Sequence, residues 1–138
     1  MNIAALDPGR DKCGLAVLDE TGKVLIRQVI ETARLEQMVA EWHKAYGFSC
    51  LVEGNGTTSG QARRRLKQAL PSLDIRVVDE YRTTEMARGE YWKANPPTGW
   101  RRLLPLSLQV PPEPVDDLVA VILGRRYLKD KEDVKNER

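Results

Sequence analysis

The chain has 138 residues, 41% hydrophobic and 30% charged, a composition that suits one soluble domain with one core. Its net charge of +2 neither requires nor excludes nucleic acid, so the placement of charge matters more than the sum. No apolar run approaches the roughly 20 residues of a membrane helix, and Asp7 interrupts the first apolar stretch too early for a signal peptide, so a cytoplasmic location is expected.

Residues 2–7 (NIAALD) are apolar up to their last position, as in a strand covered on both faces. Pro8-Gly9 or Asp11-Lys12 supplies a turn into a second strand over 13–18, and residues 19–22 turn into a third over 23–30. The short connections predict an antiparallel meander. From 32 to 46 the period becomes helical, with Leu35, Met38, Val39, Trp42 and Tyr46 on one stripe. Gly47 ends that helix.

FSCLVE, residues 48–53, reads as a short buried strand, followed by the loop GNGTTSG and a helix over 61–70. That loop lacks the GK[ST] ending of a P-loop, and its Thr57, Thr58 and Ser59 are expected to cap the helix. A fifth strand is predicted over 73–80, then a helix from Thr83 or Thr84 to about Lys93. Residues 95–114 hold six of the eight prolines and read as a long loop. A last helix is predicted over 115–128, leaving 131–138 as a charged tail on a domain of residues 1–130. Cys13 and Cys50 are expected as buried thiols, and a single histidine argues against a structural zinc site.

This order predicts an α/β fold in which three antiparallel strands and then two parallel ones form a mixed five-stranded sheet flanked by helices. The first strand should be central, with a ligand site at the carboxyl ends of the parallel strands. Apolar strands end on carboxylates at that edge: Asp7 on the first, Glu53 on the fourth, Asp79-Glu80 on the fifth. Asp116 and Asp117 open the last helix, where the helix dipole alone favours acids. Each acid singly reads as a solvated turn residue. Gathered, they would repel one another and call for a cation, and oxygen-only ligands suit Mg²⁺ or Mn²⁺.

Three stretches resemble the RuvC and YqgF (RuvX) group of ribonuclease H-like nucleases. LDPGRDKCGLAV resembles the first-strand motif, with Asp7, Gly9, Gly14 and Ala16 matching. VVDEYRTTEMAR resembles the YqgF motif DERLTT through Asp79, Glu80, Thr83 and Thr84. VDDLVAVILGRRYL resembles the last helix, placing Asp116 on the motif's aspartate and Tyr127 on its aromatic. The resemblance implies a ribonuclease H-like fold and a site of two Mg²⁺ or Mn²⁺ ions. Asp7 would bridge both ions and Asp116 would hold one. Glu53 fits the RuvC position for a further ligand and Glu80 the YqgF position, and Asp117 is a further metal candidate, although RuvC-like helices carry their additional acid at another spacing. The implied substrates are branched DNA, cut by RuvC-type dimers, or precursor ribosomal RNA, whose maturation involves YqgF-type proteins. A homodimer is left open, and no membrane partner is expected. Where YqgF members carry GLP after the fourth strand, this chain reads VEGNGTTSG.

A polyanionic substrate needs cationic contacts. Candidates are Arg63 and Arg64 within the Arg63–Lys67 run, Arg10, Lys12 and Arg82 around the acids, and Arg101 and Arg102 beside Trp100. The competing reading of the 63–67 run is a solvated helix face. The competing functional readings are a non-catalytic binding module of the same fold and an actin-like ATPase. The second needs two lobes, and 138 residues supply one.

Overall fold

The computed structural model describes residues 1–56, 58–81, 83–96, 99 and 114–136, the last three of these without their side chains. Five strands form one sheet: β1 (Asn2–Asp7), β2 (Lys12–Leu18), β3 (Val24–Glu31), β4 (Phe48–Gly54) and β5 (Ile75–Val78). Their order is β3-β2-β1-β4-β5. β2 runs antiparallel to β1 and β3, β4 runs parallel to β1, and β5 parallel to β4. This is the mixed, ribonuclease H-like sheet that the element order predicts, with the Asp7 strand at its centre.

Helices cover both faces. A short 3-10 turn (Thr32–Arg34) leads into α1 (Leu35–Tyr46), whose apolar stripe packs on the sheet. Gly47 closes α1 at φ 62°, a left-handed conformation that favours glycine. α2 (Ser59–Ala69) shares that face. α3 (Thr83–Ala94) and α4 (Asp116–Asn136) lie on the other face, with α4 packed along β1 and β2. Alternation along the strands separates two cores. Ala4, Leu6, Leu15 and Leu51 face α1 and α2, and Ile3, Ala5, Ala16 and Val52 face α4.

Two elements differ in length from expectation. β5 is four residues rather than eight, since it is an edge strand paired only with β4. α4 continues through the charged stretch to Asn136. There the charged run Lys129–Asp133, with the helix-favouring Lys129, Lys131 and Glu132, needs no apolar stripe once the helix is nucleated on the sheet. Cys13 and Cys50 are free, buried thiols. Among the described residues, no helix is long and apolar enough to cross a membrane. Most of the proline-rich stretch, including residues 100–113, lies outside the described residues.

Candidate metal centre

Asp7 is the last residue of β1 and pairs across the sheet with Gly14 of β2. Paired residues share a face, so both look toward α4. Gly14 is what allows α4 to arrive there. A Cβ on it would stand 1.8 Å from the Asp116 carbonyl oxygen and 2.6 Å from the Asp117 nitrogen. The first turn of α4 therefore rests on bare β2 backbone, and this seats Asp116 beside the end of β1.

The turn after Asp7 is fixed from the opposite side. The Thr58 hydroxyl donates to the Pro8 carbonyl at 3.0 Å, and the Thr32 hydroxyl donates to the Gly9 carbonyl at 2.9 Å. A Cβ on Gly9 would meet the Lys12 carbonyl oxygen at 2.1 Å. These contacts correct the capping expectation. Thr58 makes no cap hydrogen bond, and Ser59 bonds the Gly56 carbonyl at 2.7 Å. Thr57 lies outside the described residues.

Glu80 reaches the same neighbourhood across the end of β4. Its carboxylate lies over two glycines: a Cβ on Gly54 would come within 2.9 Å of Oε2, and one on Gly56 within 2.7 Å of Oε1. The Glu80 amide donates to Asn55 Oδ1 at 3.2 Å, and Thr83 bonds the Glu80 carbonyl through both its amide and its hydroxyl. The GNG sequence thus leaves room for an acid carried by the next strand.

The electrostatics follow from this gathering. Burial, then the Asp116 charge, then the Glu80 charge push the Asp7 carboxyl from its ordinary 3.8 up to about 7. Asp116 is also raised, by burial and by Asp117, with Lys12 acting in the opposite sense. Asp116 of α4 and Glu80 of the segment after β5 are thus both within electrostatic reach of Asp7 at the end of β1.

Glu53 is placed elsewhere. It pairs with Leu6 and follows Leu51, so alternation turns it to the α1–α2 face, away from Asp7. It is fully buried, and burial raises its pKa to about 7 although Arg63 opposes the shift. Arg63 Nε lies 3.1 Å from Oε1, yet neither carboxylate oxygen has a partner in hydrogen-bond geometry. Asp117 is also turned away: its Oδ2 accepts from Arg27 on β3 at 2.6 Å. The expectation that Glu53 and Asp117 join Asp7 therefore does not match this arrangement, because strand alternation and helix rotation send them to other neighbours.

The basic candidates divide in the same way. Arg10 and Arg64 are exposed, and Lys12 is exposed within electrostatic reach of Asp116. Arg63 is held by Glu53, Arg65 by Glu36 at 2.6 Å and the Thr32 carbonyl at 2.9 Å, and Lys67 by the Leu73 carbonyl. The arginine-rich helix thus spends most of its charge inside the molecule. Arg82, Arg101 and Arg102 lie outside the described residues. The partner that sequence reasoning missed is Arg27. Arg27 is exposed on β3, and nothing local in the sequence ties it to Asp117.

The sheet order, the helices on both faces and the acids at the carboxyl end of β1 define the ribonuclease H-like class of α/β fold. The sequence matches no protein-family model and no curated protein. Among solved structures, the chain resembles RuvC of Thermus thermophilus at 17% identity and TM-score 0.56, over 89% of this chain and 90% of that one. Weaker likenesses reach a sucrose-bound ROK family protein of Streptococcus pneumoniae and a ROK hexokinase of Thermus thermophilus. The first has 19% identity and TM-score 0.45, over 70% of this chain and 39% of that one. The second has 17% identity and TM-score 0.43, over 65% and 39%.

The donor chemistry of Asp7, Asp116 and Glu80 fits a hard divalent cation: all three offer carboxyl oxygens, and a bound cation would favour their ionised forms. Among the described residues, no three His, Cys, Asp or Glu side chains form a ready-made cage for an ion. That is compatible with Mg²⁺, which is held by one or two carboxylates completed by water and substrate phosphate.

Proposed function

We propose that the protein is a metal-dependent endonuclease that hydrolyses phosphodiester bonds in structured nucleic acid. The observation that carries this reading is the gathering of acids at one sheet edge: Asp7 at the end of β1 opposite Gly14, the Asp116 turn of α4 seated on that glycine, and the Glu80 carboxylate over Gly54 and Gly56, where burial and the charges of Asp116 and Glu80 raise the Asp7 carboxyl. Like charges brought together at the end of a central strand destabilise the fold, and a bound cation removes that cost. Resemblance to the RuvC and YqgF group and the RuvC-like fold support the same reading.

In this proposal Asp7, Asp116 and Glu80 hold one or two Mg²⁺ or Mn²⁺ ions. Bound there, the ions supply activation of water and neutralisation of charge at the scissile phosphate. The residues do the rest. Asp7, fixed by the Thr58 and Thr32 hydrogen bonds behind it, sets where the ions sit relative to the sheet. Glu80 closes the side toward β4. Lys12, near Asp116, and Arg10 on the following turn face incoming phosphate. Glu53 supports the structure from the opposite face as the partner of Arg63.

The test is a cleavage panel with Mg²⁺ or Mn²⁺: a four-way DNA junction, duplex DNA, single-stranded DNA and precursor ribosomal RNA. Cleavage of a branched or folded substrate is expected, and its loss in Asp7→Asn and Asp116→Asn. Activity that survives Asp7→Asn refutes the assignment. Binding without cleavage by the parent protein would instead identify a non-catalytic module.

A further inference from the structure

Asp117 stands next to a proposed ligand and is only 8% exposed. A buried acid needs a partner that justifies its burial. The structure supplies one in Arg27, whose guanidinium bonds Asp117 Oδ2 at 2.6 Å from the edge strand β3. The other carboxylate oxygen, Oδ1, accepts from the Leu118 amide at 3.0 Å. Both oxygens are therefore engaged within the chain.

Adjacent residues on a helix point about 100° apart. Fixing Asp117 toward β3 thereby fixes the direction of Asp116. Arg27 is paired with Ala16 on β2, two residues along from Gly14, the position on which α4 rests. One contact sets the height of α4 on the sheet and the other sets its rotation.

From this we infer that Arg27 and Asp117 are positioning residues: their ion pair sets the rotation of α4 so that Asp116 faces Asp7, and Asp117 is not itself a metal ligand. The inference rests on the metal-site reading above and adds to it the residues that orient the site. It makes a prediction whose sign differs from simple electrostatics. Removing Arg27 leaves more negative charge near the site, which by Coulomb attraction alone should tighten cation binding. If the pair acts by orientation, binding weakens instead.

The experiment titrates Mn²⁺ into the full chain by calorimetry for the parent, Arg27→Met, Asp117→Ala, Asp117→Asn and Asp7→Asn. A thermal melt of each checks folding. Arg27→Met and Asp117→Ala should each lose about 10-fold in affinity, the scale seen for groups that orient ligands. Asp117→Asn keeps an oxygen acceptor for Arg27 and should recover much of that loss. In cleavage assays the same two variants should lower kcat more than they raise KM.

Unchanged or tighter Mn²⁺ binding by a folded Arg27→Met overturns the inference. So does an Asp117→Asn loss as deep as that of Asp117→Ala, since it would mark Asp117 as a ligand. Asp7→Asn separates the two levels. If it leaves Mn²⁺ binding intact, the metal-site reading fails. If it abolishes binding while Arg27→Met does not alter it, only the positioning role fails.

Discussion

Replacing Asp7 by Asn should stabilise the metal-free protein, and by an amount that grows with pH. In the folded chain Asp7 titrates at about 7 rather than 3.8. A raised carboxyl pKa means that the folded state holds its proton more tightly than the unfolded state. Folding is then favoured at low pH, and that contribution is lost as pH rises from about 4 through about 7. A tenfold change in acidity is worth about 1.4 kcal/mol, so the full penalty for ionising Asp7 in the fold is about 4 kcal/mol, an upper figure because the carboxylate keeps some solvent contact. Between pH 5 and pH 8 the parent should lose about 2–3 kcal/mol from this residue, which Asp7→Asn does not lose. The assay is urea unfolding of both proteins at the two pH values in EDTA. The melting temperatures should diverge by roughly 10 °C over the same interval, at about 4 °C per kcal/mol for a domain of this size. A constant difference between the two proteins from pH 5 to pH 8 would refute the account of a dehydrated, repelled carboxylate.

Added Mg²⁺ or Mn²⁺ should raise the melting temperature of the parent at pH 8 far more than that of Asp7→Asn, because a ligand that binds only the folded state stabilises it by mass action; equal shifts would place the ions elsewhere. Gly14→Ala should push the start of α4 off β2, costing about 1–3 kcal/mol of stability in urea titrations together with most of the metal-dependent cleavage, whereas Ala at Gly89 inside α3, where an added Cβ meets nothing within 4 Å, should leave cleavage unchanged and raise stability by about 0.5–1 kcal/mol. Gly56→Ala should lower metal affinity in calorimetry by displacing the Glu80 carboxylate, and it should do so less than Asp7→Asn. Glu53→Gln should keep Mn²⁺ binding while removing a second stability loss near pH 7, since burial raises that carboxyl as well; abolition of Mn²⁺ binding in this variant would return Glu53 to the metal site.

Much of the fold was legible in the chain because the relevant signals are local. Asp7 was visible as an acid closing an apolar strand, and Asp116 as an acid opening a helix with a long apolar stripe. The meander, the two parallel strands and the first helix follow from period and turn chemistry within a few residues. The choice between Glu53 and Glu80 was not legible. Both end strands at the same edge, and only the pairing of Glu53 with Leu6 shows which face each acid meets. A shift of one residue in that register would turn Glu53 to the α4 face.

The sequence by itself determined which segments are strands and helices and that carboxylates collect at one end of the sheet. Periodicity and residue type act over one or two turns of chain and need no partner. Only the tertiary structure decided which acids meet. The contact between Arg27 and Asp117 spans 90 residues, the seat of α4 on Gly14 joins positions about 100 apart, and Arg63 and Arg65 of α2 are held by Glu53 and Glu36. Long-range pairings of this kind depend on how whole faces pack against each other, a property that no single stretch of the chain carries.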